Sequence, residues 1–230
     1  MIDEITRLMR LLEFSDSAFP VGTFSFSNGL ETAAFEGLVH DAASLEQYTR
    51  TALEQTLYCD AIAALIAFRA AAVGDYETIC EADRQIMLCK MNAEARLMLV
   101  RMGKKMAEIC THLGETLWIN RWLEDIREGK TPGTYPVVQA VFFQQNGSTE
   151  EDLFTAIAYG AINMILNAAL RCVKVSHYET QAILYRLCPE INQEYQVVKQ
   201  LTFEDMNAFA PEMDIVASLH EKGKMRMFMN

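Results

Sequence analysis

The sequence is short of the patterns that most enzymes and metal proteins carry. Its six cysteines, at 59, 80, 89, 110, 172 and 188, include no pair at CxxC spacing, the spacing of thiol redox motifs and structural zinc sites. The four histidines, at 40, 112, 177 and 220, make neither HxxxH nor HExxH, so no helix face offers two imidazoles to one ion. There is no GxSxG elbow, and no cysteine sits in a recognisable catalytic context. Gly129-Lys130-Thr131 resembles the end of a phosphate-binding loop, but Glu124 stands where that motif needs its first glycine. The segment from Lys130 to Gly133 reads instead as a turn between helices. Cys110-Thr111-His112 is the closest pairing of soft ligands, yet adjacent side chains on a helix diverge. A buried cysteine beside a surface histidine is the plain reading; a helical metal-dependent or thiol enzyme using Cys110 and His112 is the alternative. No catalytic residue and no metal-ligand set is expected.

Positive charge is also scarce. Twenty basic residues against 31 acidic ones leave a formal charge of -11, which disfavours binding to nucleic acid by phosphate neutralisation and points to partners with basic patches. No charged-then-apolar leader opens the chain, and a reduced, cytoplasmic compartment is expected. Prolines number only five, against 51% hydrophobic residues, a balance suited to one compact domain over residues 1–230.

Helical periodicity dominates what is present. Ile5, Leu8, Met9 and Leu12 recur at helix spacing, and Leu45 to Val73 follows a Ser44-x-x-Gln47 capping box and ends at Gly74. Further helices are predicted from Asp75, over about Asn92 to Thr111, over Glu115 to Glu128, after Ser148-x-x-Glu151, and from Tyr178 to Leu187 before Pro189. Val137 to Phe143 is rich in strand formers, but no second strand lies nearby to pair with it, so it reads as a helix opened by Pro136. The longest uncharged run, Leu153 to Leu170, places Gly160, Asn163 and Asn167 on one face, a buried central helix rather than a membrane span. The predicted fold is all-α, a single-domain bundle of roughly eight to ten helices. Thirteen methionines suit an adaptable core or a plastic interaction surface.

The most distinctive segment runs from Ser15 to Glu31, with Pro20 and Gly22 punctuating the chain and aromatic residues alternating with serines before Ser27-Asn28-Gly29-Leu30-Glu31. Asn28 is placed to cap a helix with Glu31 in the reciprocal position; Glu31 is equally placed to face a partner. Arg96, Arg101 and Arg171 stand in otherwise apolar helices, where guanidinium serves either a helix end or an interface.

Pro20-Val21-Gly22, the alternating aromatic and serine residues, and Gly29-Leu30-Glu31 together resemble the amino-terminal signature of the UreF family of urease accessory proteins. The resemblance continues in order through Glu94-x-Arg96, Arg101-Met102-Gly103, Pro136-Val137-Val138, Ala168-Ala169-Leu170-Arg171 with Gln181, Ser218-Leu219-His220-Glu221, and Arg226-Met227-Phe228. Lys174, Ser176, Tyr135, Ala140 and Met227 depart from it, which concerns local turns, above all near 172–180. The resemblance implies an all-helical homodimer that assists nickel insertion without catalysing a reaction. Its implied partners are the UreD (or UreH) and UreG accessory proteins, the latter a nickel-carrying GTPase, and the urease apoprotein. Nickel would be handled by the complex, with no cofactor of this chain's own. Glu31, Arg171, His220, Glu221, Arg226 and Phe228 are the expected partner-binding residues, shaped by Pro20, Gly22, Ser27 and Gly29. The tail at about 221–230, with Phe228 as apolar anchor and Arg226 as donor, is expected to be mobile until a partner orders it; the alternative is a tail packed on its own bundle.

Overall fold

The computed structural model describes residues 2–22, 26–113, 117–207, 210–220 and 227–228, with the backbone alone at Leu117 and His220. Among these residues there is no strand, and the all-α prediction holds. Helix α1 (Glu4–Ser15) is capped by Asp3, whose carboxylate accepts from the Thr6 N–H. Its Phe14 enters the core beside Phe19, Phe142 and Phe143. The periodic residues Ile5, Leu8, Met9 and Leu12, however, stay exposed. Their spacing marks a helix, but their stripe faces outward.

After the short α2 (Leu30–Phe35) comes a rod of two helices, α3 (Ala42–Thr56) and α4 (Ile62–Val73), joined without a break by a π-turn at Leu57–Ala61. The cap of α3 lies upstream of the predicted box: Asp41 accepts from the Ser44 N–H at 2.8 Å, and Ser44 reciprocates. A carboxylate three residues before the serine is the stronger acceptor for those first amides. Gly74, with φ of +78°, closes α4, and Asp75 opens α5 (Tyr76–Cys89). Helix α6 (Ala93–Leu113) starts where Asn92 accepts from the Ala95 N–H. Then follow α7 (Leu117–Arg127), α8 (Tyr135–Gln145) and α9 (Glu150–Cys172). Glu115 lies outside the described residues.

The box on α9 is Thr149 with Asp152, one residue later than Ser148 with Glu151. Asp152 fits there because it also receives the Arg7 guanidinium from α1, joining two helices at the cap. Helix α10 (His177–Leu187) is opened by a Ser176–Glu179 box. Pro189 ends it as predicted, but a 3-10 turn at Cys188–Glu190 leads straight into α11 (Ile191–Val198); α12 (Pro211–His220) comes last.

Helix α4 lies against α5, α8 and α9, and α8 in turn lies against α6. Both α4 and α8 are buried nearly all round, as helices at the centre of a bundle are. Ala42–Val73 and Glu150–Cys172 are each long and apolar enough to span a membrane, but 67% and 56% of those apolar windows are buried inside the protein. They are its core helices.

One contact fixes how α6 approaches the turn before α8. A Cβ on Gly103 would stand 2.1 Å from the Gly133 carbonyl oxygen, so no larger residue fits that crossing. The turn itself is held by Asp83 of α5, fully buried, which accepts from the Thr131 hydroxyl at 2.5 Å and from the backbone amides of Gly133 and Thr134 at 2.7 Å each. Burial raises the Asp83 pKa, against the pull of those donors. A carboxylate seated there would repel phosphate, in keeping with a structural turn rather than a nucleotide loop.

Candidate functional site

The residues of the amino-terminal signature converge with the carboxy-terminal tail at one place. Asn28 and Gly29 both take positive φ, +51° and +81°, which turns the chain sharply into α2. Gly29 is needed on two counts, since a Cβ there would lie 3.1 Å from the Tyr48 hydroxyl and 3.2 Å from Ala217 of α12. Tyr48 donates its hydroxyl to the Asn28 carbonyl at 2.7 Å, pinning the turn to α3. Ser27 is fully buried, its hydroxyl 3.5 Å from the Glu31 amide.

The N-cap of α2 is Gly29 in the left-handed conformation, which has no side chain, so the capping box expected from Asn28 and Glu31 does not form. Glu31 instead reaches the tail. Its two carboxylate oxygens accept from the backbone amides of Met227, at 2.8 Å, and Phe228, at 3.2 Å. Two N–H groups on one carboxylate make a charge-assisted clasp. Phe228 is 5% exposed, and the Arg171 guanidinium at the end of α9 lies 5.4 Å from its ring centroid, a cation–π distance. Arg171 here also supplies a positive charge to the C-terminus of α9. Burial first, and then the Glu31 carboxylate, pushes the nearby Cys172 thiol up to about 11.

Glu31, Arg171, Phe228, Ser27 and Gly29 thus belong to one assembly. Met227 and Phe228 meet Glu31 on the bundle; the rest of the tail expected to be mobile, 221–226 and 229–230, lies outside the described residues. His220 ends α12, while Glu221 and Arg226 lie outside the described residues, as do Thr23, Phe24 and Ser25 of the signature. Pro20 and Gly22 stand apart from the clasp; Gly22 has φ of +90° and open space around it. They turn the chain so that Phe19 and Val21 reach the wall of a cavity.

That cavity, of about 150 Å³, has Arg171 and Phe228 in its lining. Gly160, Asn163 and Asn167 of α9 line it, and the side-chain Nδ2 of Asn167 donates to Oδ1 of Asn163 at 3.0 Å. The face that the spacing assigned to α9 is therefore the cavity face. Opposite it lie Asp60 of the π-turn and Lys90, paired at 2.7 Å. Nothing in the spacing of 60 and 90 marks this pair; the nearest signal is a lysine that follows an apolar helix end.

The alternative pairing does not form. The Cys110 thiol is fully buried, and burial pushes its pKa up to about 12. His112 is exposed, its ring nitrogen 2.8 Å from the Glu108 carbonyl. Among the described residues no group of three or more His, Cys, Asp or Glu side chains could hold a metal ion.

The family model for UreF matches residues 39–188. The chain is 40% identical over 223 residues to the urease accessory protein UreF of Yersinia pestis (strain Pestoides F), covering 97% of this chain and 98% of that protein. It is 43% identical over 223 residues to the urease accessory protein UreF 2 of Brucella canis, covering 97% and 92%. With a matching model over most of its length and relatives aligned nearly end to end, the chain belongs to the UreF family of urease accessory proteins.

Proposed function

We propose that this protein works in urease maturation as a scaffold that joins a UreD/UreH-type protein to a UreG-type GTPase while nickel is inserted into the urease apoprotein. Nickel is cargo of that complex, and the chain acts as a cytoplasmic homodimer without a cofactor of its own. The observation that carries this reading is the clasp of Glu31 on the tail, with Phe228 under Arg171. It joins the amino-terminal signature to the carboxy-terminal tail at one surface. Among the described residues the two backbone hydrogen bonds from Met227 and Phe228 to Glu31 lie near the surface, where a partner can compete for them. The exposed stripe of Ile5, Leu8, Met9 and Leu12 adds apolar area on α1 for protein contact. The acidic balance of -11 suits partners with basic patches.

The test is co-purification of the full chain with UreD/UreH-type and UreG-type proteins at low salt. Retention of both, and loss of urease activation when the chain is withheld, is the expected result. Failure to retain either partner overturns the proposal. Equilibrium dialysis of the isolated protein should give weak nickel binding only; a tight site in each monomer would assign it a direct carrier role.

A further inference from the structure

Gln139 is out of place in the interior. In the run Pro136–Phe143 of α8 every residue is buried, and Gln139 alone is polar. It is 3% exposed, and among the described residues no group hydrogen-bonds its carboxamide. A buried polar group without a partner costs stability, and such groups are rare in folded proteins. Gln139 lies in the wall of the cavity of about 150 Å³, so a molecule held there can supply the missing partner.

Two more carboxamides share that wall from α9. Asn167 Nδ2 donates to Asn163 Oδ1, which uses one donor and one acceptor and leaves the Asn163 N–H groups and the Asn167 carbonyl oxygen without a partner among the described residues. The charged groups of the wall are already matched. Lys90 stands 2.7 Å from Asp60, Arg171 lies against the Phe228 ring, and Asp16 accepts from the Ala18 amide at 2.8 Å. An entering ion would have to break one of these contacts or face a like charge. What the wall has to spare is therefore the donors and acceptors of neutral amides. The rest of it is largely apolar, with Phe14, Phe19, Met98, Met102, Ile157 and Met164, and an apolar cavity of about this volume takes one benzene ring.

We propose that the cavity is a binding site for a small uncharged amide, a flat apolar body carrying one primary carboxamide, with Gln139 as its hydrogen-bond partner and the α9 asparagines beside it. Primary carboxamides are self-complementary: the ligand N–H donates to the Gln139 oxygen while the ligand oxygen accepts from the Gln139 N–H. The apolar body lies among the phenylalanine and methionine side chains, which adapt to its outline. Binding of this kind needs no accessory partner, so it stands apart from the scaffold reading.

The test titrates the full chain with benzamide, benzoate, benzylammonium and toluene, followed by calorimetry and ligand-observed NMR. The four probes share a ring and differ in the group it carries. Benzamide should saturate one site per chain and bind at least about tenfold tighter than the other three. Gln139→Leu should weaken benzamide about tenfold, while the thermal midpoint of the free chain holds or rises, because an unpartnered polar group has left the core. Gly160→Leu, at a wall position where a Cβ meets no atom within 4 Å, should fill the space and abolish binding with the fold kept. Toluene or either charged probe binding as tightly as benzamide, a benzamide affinity unchanged by Gln139→Leu, or no saturable binding at all overturns the proposal.

Discussion

Two carboxylates in this molecule do the same chemistry to opposite ends. Asp83 and Glu31 each accept two backbone N–H groups from a distant segment. Asp83 is sealed in the core, adds the hydroxyls of Thr131 and Thr134, and holds a turn against which α6 packs without room for a Cβ. Glu31 lies near the surface and holds two residues of a tail. In the first site no donor can return to water without opening the bundle, so the hydrogen bonds are structural. In the second the released amides would be solvated at once, so the same bonds make a latch.

The comparison breaks most readily on the closed side. Asp83→Ala strands two buried amides and two hydroxyls, and at about 1–3 kcal/mol for each unsatisfied group, only partly recovered by entering water, it should cost about 4 kcal/mol or more. Chemical denaturation checks this. An Asp83→Ala protein as stable as the parent would mean that the turn is not anchored where it is drawn. Phe228→Ala comes next. Retention of the UreD/UreH-type partner should fall by about 2 kcal/mol, the scale of an aromatic anchor, while the midpoint of thermal unfolding shifts far less than for Asp83→Ala. A larger loss of stability than of binding would place Phe228 with the core.

Glu31→Gln sharpens the contrast between latch and anchor. It keeps the shape and removes the charge, and stability should fall by about 1 kcal/mol or less, with a measurably weaker partner complex in a titration. If only the melt changes, the clasp is structural after all. Glu46 calibrates an exposed contact. The Arg186 hydrogen bond, opposed by burial and aided by the charges of Arg186 and Arg50, lowers its pKa. A depressed carboxylate adds stability above its unfolded pKa of about 4, lost as the pH falls through the lower folded value. Glu46→Gln should therefore cost about 0.5 kcal/mol at neutral pH, and its melting curve should meet that of the parent at low pH.

Much of the helical framework was legible. The face of Gly160, Asn163 and Asn167, the helix after Pro136, and the stops at Gly74 and Pro189 follow from spacing and backbone preference. Three capping assignments were displaced because several short polar residues stand together at each helix start. Asp41 competes with Ser44, Thr149 with Ser148, and Gly29 supplies a positive φ where Asn28 was expected to cap. The helix Ile191–Val198 was missed because Pro189 reads as a terminator, although its fixed φ suits a first turn equally well. Glu31, Arg171 and Phe228 were singled out by the family motifs, but the bond from Glu31 to the tail that brings them together was not legible.

What the sequence determined by itself is local: helices whose periodicity, caps and stops lie within a few residues of one another, and an ordered series of motifs that carries the family. Which polar group meets which was decided by tertiary structure. Asp83 finds Thr131 48 positions away, and Glu31 finds the Met227 amide 196 positions away. Lys90 meets Asp60 only because the π-turn re-aims the chain between two packed helices. A hydrogen bond or ion pair has a reach of a few ångströms, and only the packing of the apolar faces brings residues so far apart in the chain to that distance.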